Sequence, residues 1–94
     1  MPPGKLREII EEHRFAFELQ ALIPNAKRAD ELIDGVKWVL RRDPTSGRRI
    51  GNSQVWYIPM EEIPDHLPIV LYYTFDDDYV NFLSIQETIY PPQP

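Results

Sequence analysis

Arg41, Arg42, Arg48 and Arg49 fall within a nine-residue stretch. A guanidinium fork grips phosphate or carboxylate oxygens with two parallel hydrogen bonds. Such a cluster predicts contact with a nucleic-acid backbone or with an acidic protein segment. The competing reading is ordinary: cations suit the carbonyl end of a helix, and loop arginines are solvated. Tyr72, Tyr73 and Tyr79 offer phenols that could move a proton, or rings that could stack on bases. Aromatic residues in strands more often pack across the sheet, and that reading carries more weight here. Asp76, Asp77 and Asp78 supply oxygen ligands of the kind a hard cation takes. Three adjacent aspartates are also normal turn residues, and the turn reading is preferred. His13 and His66 are far apart in sequence, and no HExxH-like spacing occurs, so no metal site is expected. A Gly-rich phosphate loop, a nucleophile elbow and cysteine are all missing, and no cofactor is expected.

Charge is unevenly placed along the chain. The net is −5, yet residues 27–49 hold seven of the ten basic residues with only four acids among them, a net of +3. From Ile50 onward there are seven acids and no Lys or Arg. The basic stretch suits an acidic partner or a phosphate backbone, while overall acidity opposes strong nonspecific binding to nucleic acid. Apolar residues make up 43% of the chain and charged residues 27%, which predicts a folded domain. Ninety-four residues suit a single domain with one modest core. Residues 1–4 and 91–94 read as flexible ends, because Pro and Gly dominate them. The lack of cysteine fits a reducing compartment. With no signal-peptide pattern and no apolar run of about 20 residues, the expected location is the cytoplasm.

The elements that must position these residues follow from periodicity. Residues 5–12 are ambiguous, with helical spacing at Leu6, Ile9 and Ile10 but also the look of a short edge strand. Phe15, Leu19, Leu22 and Ile23 form a helical face, whereas Phe15, Phe17 and Leu19 alternate as in a strand; helix over 13–23 is favoured. The clearest element runs over 25–42. Asn25 is its cap, and Ala29, Leu32, Ile33, Val36, Val39 and Leu40 make its apolar stripe, with Trp38 at the flank. Asp43-Pro44 ends it. Gly35 inside that helix costs about 1 kcal/mol relative to alanine, which suggests close packing at that point. Residues 54–60, 69–75 and 79–85 read as three strands, the last two a hairpin turning at Asp76–Asp78. An acidic, proline-bearing connector spans 61–68. Trp56, between Val55 and Tyr57, is a candidate binding or core residue, since adjacent strand positions face opposite ways. The expected class is α+β, with N-terminal helices packed on one face of a small antiparallel sheet.

This order resembles the RelE/ParE superfamily of type II toxin–antitoxin toxins, over roughly residues 15–85. Phe15 with Leu19 and Leu22 resembles the family's first helix. Ala29 to Leu40, closing in Arg42-Asp43-Pro44-Thr45-Ser46-Gly47, resembles its second helix and Pro-x-x-Gly turn. Residues 70–77 and 80–85 resemble its last two strands. The resemblance implies a toxin acting on mRNA or the ribosome and neutralised by an antitoxin protein. It implies Arg48, Arg49 and Tyr73 as catalytic residues of a ribosome-dependent endoribonuclease, with Arg41, Arg42, Arg48 and Arg49 contacting nucleic acid. Two positions differ from the mRNA-cleaving members. Val70 stands where they usually carry an arginine, three residues before the tyrosine. Gln86-Glu87-Thr88 stand where they often carry a His or Arg pair. Without those cations the scissile phosphate loses its expected stabilisation. The alternative expectation is therefore a noncatalytic, protein-binding domain of the same fold, such as an inhibitor of gyrase or a non-toxic relative.

Overall fold

The computed structural model describes residues 6–60 and 68–88. The connector at 61–67, His66 and both expected flexible ends lie outside them. The chain runs β1 (Glu8–Glu11), α1 (His13–Leu22), α2 (Ala26–Arg42), a 3-10 turn (Pro44–Ser46), β2 (Arg48–Arg49), β3 (Trp56–Pro59), β4 (Ile69–Phe75) and β5 (Tyr79–Glu87). The strands form one sheet in the order β1-β5-β4-β3-β2. The class is α+β.

The segment that read either way forms a strand at Glu8–Glu11 because of a partner far along the chain. β1 pairs in parallel with β5, Ile9 standing opposite Val80. Ile9 packs against the core, while Leu6 and Ile10 remain 45% and 40% exposed. A helix would have placed all three on one face. The other neighbouring pairs are antiparallel, so the sheet is mixed rather than wholly antiparallel as expected. It also has five strands, with β1 and β2 added at the edges of the anticipated meander.

In α1 the helical period prevails over alternation. Phe15 is buried, Leu19 and Leu22 pack against the core, and Phe17 is 74% exposed. The Asn25 side chain accepts a hydrogen bond from the Arg28 N–H, 3.1 Å, and so caps α2. Ile33, Val36 and Leu40 of α2 join Phe15 of α1 in one core with alternate residues of the sheet: Ile69, Leu71 and Tyr73 from β4, Val80 and Phe82 from β5. The Phe15 and Phe82 ring centroids are 5.2 Å apart. β4 is central, and its consecutive residues Ile69, Val70 and Leu71 are all buried, as a strand covered on both faces requires. The β4–β5 register shifts at Tyr72/Tyr73, so that Tyr72 opposes Ser84 while Tyr73 opposes Phe82. The extra residue on β5 is Leu83, a bulge that lets both Phe82 and Ile85 reach the core.

Gly35 differs from expectation. Among the described residues a Cβ built there meets nothing within 4 Å, so with respect to them the glycine does not serve close packing. The glycine that does is Gly47. A Cβ there would collide with the Tyr57 backbone carbonyl and the Tyr73 hydroxyl.

Candidate nucleic-acid interface

Arg49 sits on β2, the short edge strand, opposite Trp56 of β3. Directly opposed residues share a face, so the Arg49 side chain emerges beside the indole. Its guanidinium donates to the Ser53 carbonyl, 2.7 Å, and to the Asn52 carbonyl, 3.0 Å. These two bonds hold the arginine over the turn that joins β2 to β3. Gly51, at φ +51°, lets that turn adopt a left-handed backbone. Trp56 meets Phe75 edge to face, centroids 5.3 Å apart, and a shallow concavity of about 190 Å³ opens between Arg49, Gln54, Trp56 and Phe75.

A second arginine approaches Phe75. The Arg7 guanidinium lies 6.0 Å from the Phe75 ring centroid, and its Nε donates to the Asp76 carbonyl at 2.7 Å. Arg41 joins this group through the backbone: its Nε donates to the Arg7 carbonyl, and its own carbonyl accepts from the Arg7 N–H. The start of β1, the end of β4 and the β2–β3 turn therefore bring Arg7 and Arg49 to two half-buried aromatic rings, and Arg41 at the end of α2 is tied to the Arg7 backbone.

The arginines expected to act together do not all lie together. Arg48 opposes Tyr57, so it faces away from Arg49 across the sheet. Its side chain has no hydrogen-bond or ion-pair partner among the described residues. Arg42 turns along the outer face of α2, where its Cζ lies 4.0 Å from the centroid of Trp38 and its Nη1 donates to the Trp38 carbonyl. Arg7 was missed by sequence reading. Only the register of β1 against β5 carries it to the end of the sheet, and no local signal reveals a pairing across some 70 residues.

Tyr73 is fully buried. Its hydroxyl donates to the Pro44 carbonyl, 2.5 Å, and accepts from the Gly47 N–H, 3.2 Å. Burial pushes this phenol up to about 12. The tyrosine thus fastens the 3-10 turn to the sheet and does not present its hydroxyl to a substrate. Asp43 is held below the usual carboxylate range by the hydroxyl and N–H of Thr45, and Asp76 by the N–H groups of Asp78 and Tyr79. The Asp76 bonds, both 2.8 Å, are those of a turn, which is the role expected for this aspartate. So Asp43 and Asp76 stay ionised at neutral pH, and the Tyr73 phenol stays protonated. A general acid or base needs a pKa close to the working pH. This arrangement can bind anions and stack planar rings.

Among the described residues, no group of three or more His, Asp or Glu is placed to hold a metal ion, and no helix is long and apolar enough to cross a membrane. Comparisons with protein-family models, curated proteins and solved structures give no match.

Proposed function

We propose that the chain is a toxin-like member of a type II toxin–antitoxin module that engages RNA, on mRNA or at the ribosome, through binding rather than cleavage. One observation carries this reading: Arg7 and Arg49 lie beside the paired rings of Trp56 and Phe75, and Arg41 is bonded to the Arg7 backbone. Single-stranded RNA is held by just such a combination, bases stacking on aromatic rings while cations take the phosphates. Binding without cleavage is supported by the burial of the Tyr73 hydroxyl and by the low-titrating Asp43 and Asp76. The acidic remainder of the chain would limit nonspecific attachment to duplexes.

Induced expression tests this directly. Growth arrest without new mRNA ends, together with retention of a single-stranded RNA probe that Arg49→Ala and Trp56→Ala each weaken, is the expected outcome. Arrest with mapped cuts in ribosome-bound transcripts would establish a nuclease instead. A second reading, a protein-target inhibitor of the same fold, is favoured by the net charge of −5. Arrest with no RNA retention would select it. Absence of arrest and of RNA retention would sink both.

A further inference from the structure

The outer face of α2 carries a stripe that none of the foregoing uses. Glu31, Gly35, Trp38 and Arg42 recur at intervals of four, three and four, so they line one side of the helix. All four are exposed, and Trp38 is 61% exposed, the second most exposed large apolar side chain among the described residues. Beside the stripe runs a groove of about 220 Å³ between α2 and β3, walled by Leu32, Val39, Ile58 and Met60 with Gly35 on its lip. Among the described residues a Cβ at Gly35 would meet nothing within 4 Å, so none of them supplies a packing reason for a residue that destabilises the helix. Glu31 has no ion-pair partner among the described residues.

The stripe is complementary to its own reverse. When two identical helices lie antiparallel about a two-fold axis, facing positions have a constant sum. An axis between Gly35 and Trp38 pairs those two residues across the interface, and the same axis pairs Glu31 with Arg42. Each large ring then faces the other chain's missing side chain, and each charge faces its opposite.

We propose that the chain self-associates through α2 as an antiparallel two-fold pair, each Trp38 entering the partner's groove over Gly35 and each Glu31 meeting the partner's Arg42. Trp is among the residues that most often anchor interfaces, and a glycine at a helix crossing lets two backbones approach. The contact is one helix and one groove wide. It therefore belongs with the small, transient interfaces that bury less than about 1,200 Å² in total. This pairing is independent of the RNA-binding reading, since it uses neither Arg49, Trp56 nor Phe75.

Sedimentation of the full chain from about 1 μM to 1 mM, a range that spans weak affinities, reads the association directly. The expected result is a reversible monomer–dimer equilibrium. Trp38→Ala should weaken it at least tenfold, and Gly35→Leu, which fills the crossing point, should do the same while circular dichroism stays native. Glu31→Arg and Arg42→Glu should each weaken it, because like charges then meet twice. The combination E31R/R42E restores opposite charges and should recover the wild-type constant. A chain that stays monomeric at 1 mM overturns the proposal and leaves the stripe to a different protein. So does a dimer indifferent to Trp38→Ala and Gly35→Leu, or a double reversal no better than its single components.

Discussion

Tyr73 shows how burial changes what a residue can do. Its phenol is chemically able to donate a proton, but both its hydrogen bonds are spent on Pro44 and Gly47. Tyr73→Phe should therefore lower stability by about 1–3 kcal/mol, the usual cost of leaving buried backbone groups unpaired. Urea denaturation measures that loss, and RNA retention by the folded variant should be unchanged. Alkali gives a second check. Below about pH 10 the phenol is protonated in the folded and the unfolded chain alike, so it adds no pH dependence. Above that, the unfolded chain releases a proton that the folded chain keeps until about 12. Stability should thus fall as pH rises through this window, and Tyr73→Phe should flatten the fall. Asp43 and Asp76 act at the other end. Held below 3.8 in the fold, they contribute stability above that value and lose it as the solution is acidified through their lowered folded values.

Among the elements, α2 shows most plainly which positions its helix needs. Asn25→Ala removes the side-chain acceptor for the Arg28 N–H and should cost about 1 kcal/mol. Gly35→Ala should stabilise by a similar amount, about 1 kcal/mol, because the added methyl meets none of the described residues and alanine is the better helix former. Thermal unfolding at a concentration low enough to keep the chain monomeric separates that gain from any effect on association. Gly47→Ala should behave in the opposite way. Its methyl would strike the Tyr57 carbonyl, a backbone atom that cannot swing aside, so the turn before β2 and the Tyr73 anchor must shift together. β2 is only two residues long and both are arginines, a form that discourages another strand from adding at that edge.

For the whole molecule, the consequence is that two adjacent arginines serve different surfaces. Arg49 shares a face with Trp56, and Arg48 shares one with Tyr57. Arg49→Ala should weaken RNA retention and reduce its salt slope by about one unit, whereas Arg48→Ala should leave both near wild type. Titrations at several salt concentrations distinguish the two. Much of the architecture was legible from local pattern. The α2 stripe with its Asn25 cap, the helical face through Phe15, Leu19 and Leu22, the three strands of the second half and the aspartate turn all follow from periodicity and turn chemistry, which operate over a few residues. The parallel β1–β5 pair did not follow, because a four-residue strand has no preference strong enough to declare itself without its partner. Nor did the grouping of Arg7, Arg41 and Arg49, the separation of Arg48 from Arg49, or the burial of Tyr73. Residue types and spacing determined which elements form and which side chains carry charge or a ring. The sheet register and the packing of the helices on it decided which of those side chains meet, because a shift of one residue along a strand turns every side chain to the opposite face.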